Sequence, residues 1–202
     1  MGISINYVGA NHQVTDSEGN VTENYREDGS IMFSNEASGY DRMVSNSTRN
    51  GNEEMGVITN NGVLVLPSYA NEKGNAKFHE YGYKAQNGNV VDAISGKELN
   101  TVAMAHTHPN GSAPTGRHGD GSFMRDFPNK PMYVFQMEGA NNVSSMSYII
   151  SNGESFNWNT GYTSSLSAVP NMTIPNVVRG NVSLRKYTQR NVARMINKIP
   201  GH

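Results

Sequence analysis

Apolar residues along this chain come in short runs, not long stripes. Ile3, Ile5 and Tyr7 alternate and predict one short strand, followed by polar loops to about residue 35. The period then changes. Ala37, Tyr40 and Met43 recur at a spacing of three and predict a helix over residues 36–47, closed by the Asn50-Gly51-Asn52 break. Residues 55–59 and 63–66 flank Asn60-Asn61-Gly62, a hairpin pattern, and residues 81–84 and 90–94 flank Asn87-Gly88 in the same way. Residues 101–105 read as a buried strand of small side chains, residues 111–121 as a polar loop, and residues 132–137 and 145–150 as two strong strands around a loop containing Gly139. Residues 160–175 are rich in Ser, Thr and Pro and read as a linker. Leu184, Tyr187, Met195 and Ile199 then share one stripe of a final helix of roughly 15 residues, which Pro200-Gly201 would end.

Composition narrows this picture. The 202 residues fit one domain, with or without tails. Asn (27) and Gly (21) are abundant, and both favour turns, so a loop-rich α+β or β-rich domain is expected and a helix bundle is not. There is no Cys, which excludes disulfides, thiolate zinc sites, iron–sulfur clusters and a Cys nucleophile. No stretch approaches the ~20 apolar residues of a membrane helix, and residues 1–13 lack the features of a signal peptide, so the expectation is a soluble protein with no membrane span. A strand directly after Met1-Gly2 is what an excised domain of a longer chain would show. Net charge is −1, but no acidic residue follows Glu154, and six basic ones do. That basic segment either packs on an acidic body or meets something anionic. It has no interleaved aromatics, so no nucleic-acid partner is expected.

The chemistry concentrates at Ala105-His106-Thr107-His108-Pro109. Residues two apart on an extended chain point to the same side, so His106 and His108 can face one metal ion, and Pro109 ends the strand. Imidazole suits zinc, whose catalytic sites usually have three protein ligands and one open position. Asp120 and Asp126 are the candidates for the third ligand. Taken alone, the His-x-His pair fits a metal site and a pair of structural histidines equally. Upstream, Glu53-Glu54 begins the first hairpin. A carboxylate there is ordinarily a solvated edge residue, but beside a metal it can accept a proton from water and pass it to a leaving amine.

Together these pieces resemble the JAB1/MPN/Mov34 metalloprotease family, over roughly residues 38–152. The family motif is a Glu heading Glu-x-x-Gly-[Val/Leu]-Ile, then His-x-His, seven residues, Ser, two residues and Asp. The resemblance implies an α+β fold, a curved mixed β-sheet flanked by helices with a cytidine-deaminase-like architecture. It divides the chain into an N-terminal strand and loop extension (1–35), a metal-dependent hydrolase domain (36–152) and a polar linker with a basic C-terminal helix (153–202). His106 and His108 match the zinc-binding histidines. Glu53 matches the general base, because Gly56 follows it by three; Glu54 has the wrong spacing. The family's Asp would land on Gly119, so Asp120 implies a one-residue insertion; Asp126 would need seven and leaves too little chain before Pro131 for the family's helix. Asp120 is preferred. The family's Ser, an oxyanion donor, then falls on Arg117, and Arg117, Thr115, His118 and Ser122 remain as replacements.

The activity that the resemblance implies is zinc-assisted hydrolysis of a peptide or isopeptide bond in a protein or peptide substrate. The flavour is closest to bacterial JAB-like toxin domains, which implies a secreted effector without a classical signal peptide and an immunity protein as a partner. Two rivals stand beside it: a catalytically impaired member kept as a binding scaffold, and a metal hydrolase acting on non-peptide substrates. Metallo-β-lactamase, amidohydrolase-barrel, zinc-deaminase and His-Glu-x-x-His patterns fit worse, each missing required residues or length. His12, His79 and His202 read as surface residues, and Trp158 as a core or interface anchor.

Overall fold

The computed structural model describes residues 4–8, 11–68, 76–109, 119–136, 145–151, 154–157 and 163–165. In chain order the elements are β1 (Ser4–Val8), β2 (Asn11–Thr15), β3 (Val21–Tyr25), β4 (Ile31–Phe33), α1 (Glu36–Asn50), β5 (Met55–Thr59), β6 (Gly62–Val65), β7 (Lys84–Gln86), β8 (Asn89–Val91), β9 (Glu98–Leu99), β10 (Thr101–His108), α2 (Asp120–Phe123), β11 (Met132–Gln136), β12 (Ser145–Ser151), β13 (Glu154–Asn157) and β14 (Thr163–Ser165). A single 3-10 turn, Met124–Asp126, continues α2. The fold is α+β. A mixed sheet runs β1-β2-β3-β4-β6-β5-β10-β11-β12-β13-β14, and a smaller one runs β7-β8-β9. Within the larger sheet, β10 and β11 pair in parallel and the other pairs are antiparallel. A parallel pair needs a crossover connection, and the segment bearing α2 lies in it.

Local sequence accounts for the elements that frame the centre. Asn35 caps α1, its side chain accepting the Ala37 N–H at 2.8 Å, and Gly51 closes the other end with its N–H on the Ser47 carbonyl at 2.8 Å. Asn87 (φ 51°) and Gly88 (φ 73°) make the β7–β8 turn, where both central residues need positive φ. Gly62, at φ 122°, follows the Asn60-Asn61 loop and lies against the Phe33 carbonyl, so that β4 can pair with β6.

Side-chain alternation divides the strands between two cores. Met55, Val57, Leu64, Leu66, Met104, Met132 and Val134 belong to one, closed over by Phe78, Tyr83, Val90, Met124 and Phe127. Ile58, Val63, Val65, Ala103, Ala105 and Phe135 belong to the other, beneath Tyr40 and Met43 of α1. The sheet is therefore filled on both faces, with α1 on one and the small sheet and α2 region on the other.

Three differences from the sequence pattern stand out. Residues 11–33 form three strands where polar loops are predicted. They are half-buried at most over β2 and β3, with little apolar alternation to betray them. They join the same sheet as the central strands, through β4 and β6. The buried strand predicted to end at Ala105 extends to His108. The polar stretch predicted over residues 111–121 ends earlier, because Asp120 starts α2. The final helix, Trp158, His202 and most of the predicted linker lie outside the described residues.

Gly62→Ala would drive a Cβ into the Phe33 carbonyl oxygen, whereas at Gly19 (φ 85°) a Cβ meets nothing within 4 Å. The expected losses of stability are about 3 kcal/mol or more for Gly62→Ala and about 1 kcal/mol for Gly19→Ala. Urea denaturation of the two variants checks this; equal losses would show that β4 does not press on the turn.

Candidate functional site

The site is built where the start of β5 meets the end of β10. These strands are antiparallel, with His106 opposite Met55 and Ala105 opposite Gly56. The pairing continues past the start of β5, since the Thr107 N–H donates to the Glu54 carbonyl at 3.0 Å. Alternation carries His106 and His108 onto the face shared with Met104, away from α1. Glu53 shares the face of Met55 and Val57, so it meets them there. Glu54, its neighbour, is turned to the helix side. Asp120, the first residue of α2, arrives through the crossover that the parallel β10–β11 pair requires.

The four side chains converge in a buried cluster. His106 Nε2 lies 3.5 Å from Glu53 Oε2 and 3.4 Å from Asp120 Oδ1, and His108 Nε2 lies 3.4 Å from the same Oδ1. The two imidazoles meet nearly edge to face, 4.8 Å between centroids at 85°. Ligand atoms of Glu53, His106 and His108 all fall within 4.8 Å of one another, a group that could hold a metal ion. Charge-assisted N–H···O bonds are usually ~2.7–2.9 Å long. At 3.4–3.5 Å the contacts here are too long for strong ion pairs.

Burial dominates the electrostatics. It pushes Glu53 up to about 7, and the Asp120 charge adds to that, while His108 and the backbone N–H of Ala76 oppose it. Burial pushes His106 down to about 4, with His108 acting in the same direction and Asp120 against it. A neutral imidazole is the form that ligates a metal, and a carboxylate whose proton affinity is raised by burial is the better proton acceptor. His106 Nδ1 is buried and has no hydrogen-bond partner among the described residues.

Of the residues singled out in the sequence, the structure brings together Glu53, His106, His108 and Asp120. Asp126 is exposed on the 3-10 turn. Ser122 is half-buried on α2, while Thr115, Arg117 and His118 lie outside the described residues. His79 is exposed, but His12 stacks on Tyr25 at 4.0 Å between centroids, so it is more than a bare surface residue. Two features escape the sequence pattern. Glu54 is buried to 1% exposure, with neither carboxylate oxygen hydrogen-bonded among the described residues. Burial pushes its pKa up to about 7, against Ser68, Asn46, Asn50 and Arg42. Strict alternation from Gly56 back through Glu54 would have placed it under α1. The Thr107 hydroxyl accepts the Glu54 N–H at 2.8 Å, a contact 53 residues apart that no local pattern announces. Comparison with protein-family models, with curated proteins and with solved structures finds no match to this chain.

The shifts set opposing pH dependences for the metal-free protein. Folded Glu53 and Glu54 keep protons that the unfolded chain releases above the ordinary 4.5, so stability falls as pH rises from 4.5 to about 7. His106 stays neutral when folded down to about 4 but is protonated below 6.5 when unfolded, so there stability rises with pH. Glu54→Gln isolates one contribution. At pH 8 it is expected to stabilise the protein by on the order of 2 kcal/mol, with the gain closing as pH falls through the window to 4.5. Urea titrations at several pH values measure this, and no gain at pH 8 would mean the Glu54 carboxylate is fully compensated where it sits.

Proposed function

We propose that the chain is a zinc-dependent hydrolase of peptide or isopeptide bonds, with a site of the JAB1/MPN/Mov34 kind. One observation carries the reading: a buried carboxylate, Glu53, stands 3.5 Å from the Nε2 of a His-x-His pair whose two Nε2 atoms are each 3.4 Å from a single Asp120 oxygen. The donor set supports it. Two imidazoles and a carboxylate are borderline-soft to hard ligands suited to zinc. Donors ~2.1 Å from a tetrahedral zinc stand ~3.4 Å apart, and both His–Asp120 separations are 3.4 Å.

His106, His108 and Asp120 would hold the ion, and Glu53, 3.5 Å from His106 Nε2, would stand beside it as the proton acceptor. A bound zinc ion supplies Lewis acidity, making water acidic enough to give up a proton near pH 7 and polarising a carbonyl oxygen. Glu53 takes that proton at its carboxylate and returns it to the leaving nitrogen. Burial raises the proton affinity of Glu53 above that of an ordinary carboxylate in the metal-free site, which suits a group that must accept a proton. Burial of all four side chains strengthens every electrostatic contact at the reacting centre. Of the oxyanion donors considered, Ser122 stands two residues beyond Asp120 on α2. The effector role and the immunity partner rest on the family resemblance alone. The scaffold reading has Arg117 at the family's Ser position in its favour. Metal retained without turnover on any peptide or isopeptide substrate would assign the chain to it.

The test separates the roles. Glu53→Gln is expected to retain about one zinc per chain and to lose ~10²-fold or more in turnover of a peptide or isopeptide library. His108→Ala is expected to lose the metal, and Asp120→Asn to weaken it where Asp126→Asn does not. Elemental mass spectrometry on protein purified without a metal-affinity column reads the metal content. Unchanged zinc in His108→Ala would overturn the proposal.

A further inference from the structure

Thr107 lies between the two histidines, and alternation turns its side chain to the opposite face, where α1 ends. There it joins a chain of hydrogen bonds running in one direction. The Glu54 N–H donates to Thr107 Oγ1 at 2.8 Å, the Thr107 hydroxyl donates to Ser47 Oγ at 3.0 Å, and the Ser47 hydroxyl donates to the Asn52 carbonyl at 2.7 Å. The Thr107 N–H closes the loop on the Glu54 carbonyl at 3.0 Å. Each hydroxyl has one proton and uses it here, so the relay leaves no free donor. Both hydroxyl side chains are almost completely buried.

The residues pinned are Asn52 and Glu54, the two neighbours of Glu53. Glu53 itself is not within a strand, because β5 begins at Met55. Without the relay, the Glu54 N–H would lose its acceptor on β10 and the Asn52 carbonyl would lose the Ser47 hydroxyl. With it, the backbone on both sides of Glu53 is tied to the same strand that carries His106 and His108.

We infer that Thr107, with Ser47, is a positioning residue: a hydroxyl relay on the back of the sheet that fixes the Glu53 carboxylate relative to the His106–His108 pair. The catalytic part of this rests on the hydrolase reading above. The structural part does not. Thr107 touches neither substrate nor reacting atoms in this role, and it acts by setting where Glu53 stands. Displacement of a catalytic group by ~1 Å can cost about 10²-fold in rate, so a loosened Glu53 should lower kcat while leaving the histidines in place.

The experiment uses Thr107→Val, which keeps the shape and removes the hydroxyl, and Thr107→Ser, which restores the hydroxyl. Amide hydrogen exchange in the zinc-free chain is read first. Glu54 is expected to exchange ~10-fold faster or more in Thr107→Val, since its N–H has lost its acceptor, and to recover in Thr107→Ser. Unchanged Glu54 exchange in Thr107→Val overturns the inference, whether or not the protein proves to be a hydrolase. On the zinc-loaded enzyme, kcat is expected to fall roughly 30- to 100-fold in Thr107→Val, with KM little changed and rescue in Thr107→Ser. Zinc affinity should stay within about threefold, against the roughly 10- to 100-fold that losing an outer partner of a metal ligand costs. A wild-type kcat in Thr107→Val, or a zinc affinity as poor as that of His108→Ala, overturns the positioning role. Should Thr107→Val not fold, Ser47→Ala, which removes only the far hydroxyl, carries the same readouts with smaller shifts. Failure of the hydrolase reading is seen separately, as absent zinc or as equal turnover by Glu53→Gln and wild type, and in that case hydrogen exchange alone decides on the relay.

Discussion

The pairing of β5 with β10 is the constraint on which everything else rests. It is a long-range antiparallel contact whose register sets which side chains share a face. A slip of one residue would send His106 and His108 to the α1 side and Thr107 to the cluster. Three things hold the register. Buried side chains fill both faces, Gly56 lies opposite Ala105, and the Thr107–Glu54 contacts extend the pairing beyond the last ladder pair. The same register gives the two adjacent glutamates opposite fates: Glu53 joins the histidines, and Glu54 is buried beneath the helix.

The crossover between β10 and β11 supplies what a hairpin could not. Parallel strands force the intervening chain to leave the sheet and come back, and Asp120 sits where that excursion begins its return as α2. An antiparallel partner joined to β10 by a tight turn would have left no room for a carboxylate from outside the sheet. The cluster thus draws on three separate backbone segments, each placed by a different feature of the topology.

Much of this was legible because it is local. The α1 period, the two Asn-Gly turns and the apolar β11 run are signals confined to a few residues each. His106 and His108 were legible for the same reason, since spacing of two on an extended strand needs no knowledge of the rest of the fold. The meander of β2 and β3 was not, because Asn11–Thr15 and Val21–Tyr25 are largely polar strands, half-buried over His12–Thr15 and Thr22–Tyr25, whose pairing partners, rather than their own pattern, make them strands. Asp120 could be ranked above Asp126 only against the motif spacing of the family the chain resembles, and its convergence with the histidines depends on the crossover, which has no signature in composition. Thr107 is the clearest case. Its type is ordinary between two histidines, and only the register reveals that it faces Ser47 from 60 positions away.

That separation has a thermodynamic consequence. In the unfolded chain only His106 and His108 are held close by sequence, whereas Glu53 and Asp120 are brought to them by the β5–β10 pairing and the crossover. Any ion held by the whole cluster therefore binds the native state far better than the unfolded one, and by mass action its free energy of binding is added to that of folding. Ion concentration and conformational stability become two readings of one equilibrium.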